Sequence, residues 1–117
     1  MAIFDIGSND GSNGLAFAML NPNIKVYSFE PNPYLKKIIL GNKKKIEKKF
    51  KIYLKNFSFF QEAVSNENKK KLFYITNNNA TSSLLKPRKK LHRYWTDNKD
   101  ESIRNIADWI KISKIKI

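Results

Sequence analysis

The stretch Ala2-Ile3-Phe4-Asp5-Ile6-Gly7-Ser8-Asn9-Asp10-Gly11 constrains the fold more than any other part of the chain. Ile3, Phe4 and Ile6 suit a strand buried on both faces. The run ends in an acidic turn whose glycines, Gly7 and Gly11, let the backbone bend sharply and approach a ligand closely. Two readings compete for Asp5 to Gly11: a nucleotide-type loop between a strand and a helix, or a hairpin turn closed by Asp10-Gly11. A hairpin needs an alternating strand after the glycine, whereas Leu15-Ala16-Phe17-Ala18-Met19-Leu20 is a continuous helix-forming run. The ligand loop is therefore the favoured reading.

The segments that follow extend an α/β pattern. Residues 12–20 form a first helix, stopped by Asn21-Pro22-Asn23, and Ile24 to Phe29 form a β-branched and aromatic strand. Two prolines in Glu30-Pro31-Asn32-Pro33 then take the chain out of the sheet. Strand, helix and strand in this order imply a parallel pair joined by a right-handed crossover. From Tyr34 to about Leu54, apolar residues recur at helical spacing with lysines on the other face. Gly41-Asn42 interrupts the middle, which reads as two helical pieces or one broken helix. Phe57 to Val64 is a third strand, Ser65-Asn66-Glu67-Asn68 a turn, and Lys71 to Thr76 a fourth strand. The link is too short for a crossover helix, so these two strands are expected to pair as an antiparallel hairpin if they are neighbours. Asn77 to Ser83 reads as a polar loop, Lys86 to Trp95 as a basic segment and Thr96 to Glu101 as turn-rich. Ile103 to Ile112 suits a short helix, and Ile115 and Ile117 alternate with lysine as in a strand. There is no internal repeat and no linker, so a single domain over 1–117 is expected.

Composition narrows the function classes. With 41% apolar residues, including eight Phe, five Tyr and two Trp, 117 residues can form one core. No apolar run approaches a membrane span and no signal-peptide pattern opens the chain, so a cytoplasmic protein is the default expectation. The absence of cysteine excludes disulfides and thiolate metal sites, and His92 alone cannot build a zinc site. The net charge of +13 is uneven: residues 1–35 hold Lys25 against Asp5, Asp10 and Glu30, while the rest hold 22 Lys and Arg against seven acids. Such a surface can attract nucleic acid, anionic membrane or a phosphorylated substrate. Lysine far outnumbers arginine, and bidentate reading of bases or phosphates favours arginine, so solvated lysine faces are the better account.

The ligand class follows from what the loop lacks. A dinucleotide fingerprint needs glycines at 7, 9 and 12, where this chain has Asn9 and Ser12. A phosphate-binding P-loop needs Gly-Lys-Ser/Thr, which is also missing. What remains is Asp5 two residues before Gly7, and Glu30 at the end of the next strand, 19 positions after Gly11. A carboxylate there can take both ribose hydroxyls.

Phe4-Asp5-Ile6-Gly7-Ser8-Asn9-Asp10-Gly11, Ser28-Phe29-Glu30-Pro31-Asn32-Pro33 and Glu62-Ala63-Val64-Ser65, in this order and at this spacing, resemble the S-adenosylmethionine-dependent methyltransferases of the FkbM type. Two later stretches are also similar: Asn79-Ala80-Thr81-Ser82-Ser83-Leu84 to a Ser-rich loop, and Ile106-Ala107-Asp108-Trp109-Ile110 to a segment before the fourth parallel strand. The resemblance implies a partial Rossmann-like class I methyltransferase fold, with parallel strands and an antiparallel hairpin insertion. It implies that Asp5, Gly7, Asn9 and Gly11 line the methionine end of S-adenosylmethionine, that Glu30 binds its ribose, and that Glu62 and Ala63 lie near its adenine. It also implies that 1–117 is the cofactor-binding N-terminal half of the domain, the family's next acid-bearing strand end lying outside it. The expected activity is methyl transfer, O-methylation of a small-molecule or glycan-like acceptor. No catalytic base is named: His92 sits in a basic run, and Ser82 and Ser83 are as well read as plain loop residues. Trp95 and Trp109 read as core anchors. The alternative is a basic module for nucleic acid or other anions, without catalysis, using Lys43-Lys44-Lys45, Lys69-Lys70-Lys71 and Arg88-Lys89-Lys90.

Overall fold

The structure is a computed structural model, and it describes residues 1–75, 82–85 and the backbone of 113–116. Its elements are β1 (Ala2–Ile6), α1 (Ser12–Leu20), β2 (Lys25–Phe29), α2 (Pro33–Phe50), β3 (Phe57–Phe60), β4 (Leu72–Ile75) and β5 (Ser113–Lys116). They fall in two compact units, Met1–Asn68 and Lys69–Ile117.

The first unit is α/β. β1, β2 and β3 form a parallel sheet in that order, with Phe4 beside Tyr27 and Ile6 beside Phe29 on one side, and Val26 beside Phe57 on the other. Because the strands run in one direction, the loops after their C-terminal ends share one end of the sheet. Side chains alternate between faces along a strand, so Ile3, Val26, Phe57 and Phe59 share a face. That face packs with Leu15 and Ala18 of α1, Leu35 and Ile39 of α2, and Leu54 in one core cluster. The helices thus cover one face, as two right-handed crossovers advancing in the same direction require. The other face carries Phe4, Ile6, Tyr27, Phe29 and Phe60. Its rings stack from strand to strand, with centroids 5.4 Å apart for Phe4 and Tyr27 and 5.0 Å for Phe29 and Phe60.

α1 occupies the span expected from its composition. α2 corrects the broken-helix reading: Gly41-Asn42 sits within one continuous helix of 18 residues. A glycine inside a helix lowers its stability by about 1 kcal/mol without ending it, and three features define this helix. The Asn32 side chain accepts from the Tyr34 amide at 3.1 Å, Pro33 opens the first turn, and Lys51 ends the last one in the left-handed conformation. Leu35 and Ile39 supply the buried stripe.

β3 is shorter than the expected strand and stops at Phe60, leaving Glu62, Ala63 and Val64 in irregular chain. It is entered through Asn56, whose side-chain nitrogen donates to the carbonyls of Ala18, Asn21 and Ile24 at 2.9–3.0 Å. This ties the end of α1 and the turn after it to the start of the third strand.

The second unit overturns the expected hairpin between the third and fourth strands. β3 pairs with β2, whereas β4 pairs antiparallel with β5, Phe73 opposite Ile115. On the other side of β4, Tyr74 exchanges two backbone hydrogen bonds with Ser83. A short link makes a hairpin feasible without making it the best pairing. β3 finds a parallel partner beside its own crossover, and β4 a distant antiparallel one. Ser83 therefore belongs to a bridge, and its hydroxyl accepts from the Leu85 amide at 3.0 Å. The basic segment 86–95, with His92 and Trp95, and the expected helix 103–112, with Trp109, lie outside the described residues. Among the described residues no helix is long and apolar enough to cross a membrane.

Candidate functional site

The loop from Gly7 to Gly11 leaves the C-terminal end of β1 and turns on three left-handed residues, Gly7 at φ 73°, Asn9 at φ 51° and Gly11 at φ 77°. Such a backbone is strained for any residue with a side chain, and here it is held from several directions. The amides of Gly7 and Ser8 both donate to the Phe29 carbonyl at the end of β2, at 2.9 and 3.0 Å. The Gly11 amide closes the turn onto the Ser8 carbonyl at 2.8 Å. From the middle of α2, the Asn42 side chain donates to the Asp10 carbonyl at 3.0 Å. Gly11 itself sits against Ile39: a methyl group there would lie 2.9 Å from its side chain. Nothing lies within 4 Å of the corresponding position at Gly7, which faces open space.

Three carboxylates organise this loop, and each takes backbone amides. Asp5 lies on the helix-covered face, where its Oδ2 accepts from the Gly14 amide in the first turn of α1 at 3.1 Å and from the Ser28 hydroxyl at 3.3 Å. Asp10 accepts from the Ser12 amide at 3.0 Å, and that bond holds its carboxyl below the usual carboxylate range. Both place negative charge where the α1 dipole is positive and orphan N–H groups need acceptors. Glu30 is 6% exposed, and its two oxygens divide between two loops: Oε2 accepts from the Asn9 amide and Oε1 from the Asn32 amide, both at 2.9 Å. An ionised carboxylate has about four acceptor positions, so two remain on Glu30 beyond these bonds.

The expected site residues are thus brought together in part. Asp5, Gly7, Asn9, Gly11 and Glu30 meet at the C-terminal ends of β1 and β2. The Glu30 amide bonds to the Phe60 carbonyl at 3.0 Å, which brings the end of β3 alongside. Glu62 is exposed and Ala63 half-buried in irregular chain just past that strand. Comparison of the chain with protein-family models, with curated proteins and with solved structures finds no match. The geometry of the loop itself therefore carries the functional reading.

Two residues of this site carry no motif signal. Ser28 looks like an ordinary strand residue, yet it is fully buried and bonds Asp5. Ser8 is 7% exposed, and its hydroxyl is the one buried side-chain polar atom among the described residues that has no hydrogen-bond partner. An orphaned hydroxyl beside a left-handed asparagine gathers unsatisfied and strained groups in one short loop, as functional sites do.

A cleft of about 510 Å³ lies elsewhere, at the opposite end of the sheet. It is lined by the turn at Pro22, Asn23 and Ile24 and by Lys25, Tyr27, Tyr53, Lys55, Asn56 and Ser58. It shares no residue with the loop at 7–11.

Proposed function

We propose that Gly7–Gly11 and Glu30–Asn32 form the cofactor end of an S-adenosylmethionine-dependent methyltransferase, acting on a hydroxyl of a small-molecule or glycan-like acceptor. The supporting observation is the held, left-handed loop at the C-terminal ends of parallel strands, the usual ligand position in open α/β sheets. Charge supports the choice of ligand. Asp5, Asp10 and Glu30 surround the loop, and residues 1–24 contain no Lys or Arg, within a chain of net charge +13. Two first-turn amides of α1, those of Ser12 and Gly14, are taken by Asp10 and Asp5, so a phosphate there would meet two carboxylates. A ligand with a sulfonium, an ammonium and ribose hydroxyls suits this field.

The cofactor carries its methyl group on a sulfonium, already an activated electrophile, so the protein chiefly orients the partners. Gly7 gives the open backbone against which the methionine end would lie, and Asn9 and Gly11 fix the turn beside it. Glu30 offers its remaining lone pairs to ribose hydroxyls. Asp5 positions α1 against β1 through Gly14 rather than touching the ligand. Glu62 and Ala63 are the residues that would flank adenine. On this reading, none of the described residues is assigned to selecting or deprotonating the acceptor.

Titration calorimetry of the 117-residue chain with S-adenosylmethionine tests the proposal. Saturable heat is expected below roughly millimolar ligand. No heat at that concentration, with the circular dichroism of a folded α/β chain, would sink it.

The second reading, a basic anion-binding module without catalysis, is favoured by one observation. The cleft at the other end of the sheet combines Lys25 and Lys55 with two tyrosines and no acid, and Lys43 lies 5.3 Å from the Tyr53 ring centre. On this reading Lys25→Glu with Lys55→Glu should weaken binding of a single-stranded oligonucleotide about tenfold or more and flatten its salt dependence. Unchanged affinity in a fluorescence-anisotropy titration would remove the cleft from consideration.

A further inference from the structure

We propose, resting on the reading of 7–11 as a cofactor loop, that the Ser8 hydroxyl donates to the carboxylate at the amino-acid end of S-adenosylmethionine and so selects for ligands that carry it. Ser8 is 7% exposed, and among the described residues its hydroxyl has no hydrogen-bond partner. A buried hydroxyl left unpaired costs folding free energy, so in the empty loop serine is a poorer choice than alanine would be. A ligand acceptor that pairs with it recovers that cost only when bound.

The groups around Ser8 are already bonded within the protein. The Gly7 and Ser8 amides donate to the Phe29 carbonyl, the Gly11 amide to the Ser8 carbonyl and the Asn9 amide to Glu30. The Ser12 and Gly14 amides donate to Asp10 and Asp5. These N–H groups serve the loop and the start of α1 rather than a ligand. The charges nearby are those of Asp5, Asp10 and Glu30, and residues 1–24 contain no Lys or Arg. An ammonium group meets carboxylates in this field, whereas a ligand carboxylate meets neither a cation nor these amides. The Ser8 hydroxyl is the buried donor still to be used, and it carries no charge to oppose the ammonium beside it. Serine has one side-chain torsion with staggered positions, so its hydroxyl turns to an arriving acceptor while the backbone bonds of the loop stay in place.

Calorimetric titration of the unaltered chain and of Ser8→Ala, each with S-adenosylmethionine and with its decarboxylated analogue, tests the assignment. The unaltered chain should bind the analogue about tenfold more weakly than the cofactor, and Ser8→Ala should bind the two within about twofold of each other. Without ligand, the urea midpoint of Ser8→Ala should lie roughly 0.5 M above that of the unaltered chain, at the same slope. A serine with a structural role alone would move the midpoint without touching the preference between the two ligands. A tenfold preference that survives in Ser8→Ala, or a midpoint lowered by that substitution, would overturn the assignment and leave the cofactor reading of the loop standing. No heat from the folded, unaltered chain with either ligand would remove that reading, and the role of Ser8 with it. If Ser8→Ala does not fold, Ser8→Cys, similar in shape with a weaker donor, takes its place in the same titrations.

Discussion

Glu30→Ala is expected to lower the unfolding free energy of the first unit by about 3 kcal/mol, read as an earlier urea midpoint with an unchanged slope. The carboxylate is buried and accepts two backbone amides, from Asn9 and Asn32. Charge-assisted bonds of this kind contribute roughly 1.5–3 kcal/mol each, and removing the acceptor strands both donors. Glu62→Ala provides the contrast. Its side chain is exposed beyond β3, and the change should stay within about 0.5 kcal/mol. Equal effects of the two substitutions would show that Glu30 is not the clamp described here. The same geometry decides how a ribose contact must be tested. Loss of Glu30 also frees the Asn9 amide, so weaker cofactor binding by this variant does not separate a ligand contact from a loosened loop. A cofactor analogue lacking the ribose hydroxyls, titrated into the unaltered chain, does separate them. An affinity loss of about tenfold is expected if Glu30 takes those hydroxyls.

Gly14→Ala should destabilise the chain by about 2 kcal/mol, although alanine is the better helix former by about 1 kcal/mol. The sign follows from what an added methyl group would meet: Asp5 Oδ2 at 2.6 Å and the Phe57 ring at 3.2 Å. The carboxylate cannot simply rotate away, because it also accepts from the Gly14 amide and the Ser28 hydroxyl. α1 would have to lift from the sheet. A thermal midpoint lowered by several degrees is the expected result, and a raised midpoint would show that helix propensity wins at this site.

The first half of the chain was legible because its signals are local. A continuous apolar run, a glycine turn and a helix-forming segment leave few alternatives, and two prolines after Phe29 end the second strand without ambiguity. The contacts that hold the loop were not legible. Nothing about a serine in a strand announces Ser28 beside Asp5, and Asn56 shows no sign in sequence of reaching three carbonyls. Glu30 was found for its position, but a carboxylate at a strand end reads as a ligand group, while here it first joins two loops. Gly41-Asn42 misled for a related reason. Local propensity marks a weak point, whereas the Asn42 bond to Asp10 and the burial of Ile39 make that turn part of the site. The β4–β5 pairing depends on residues about 40 positions apart, beyond what turn chemistry can specify.

The Asn42 side chain and the packing of Gly11 on Ile39 join the loop to the centre of an 18-residue helix rather than to its end. A ligand that quiets the loop would therefore slow amide exchange in the middle turns of α2, well away from any atom it touches, leaving the helix ends to exchange as before. α2 is in this sense a built-in gauge of occupancy, readable before the identity of the acceptor is known.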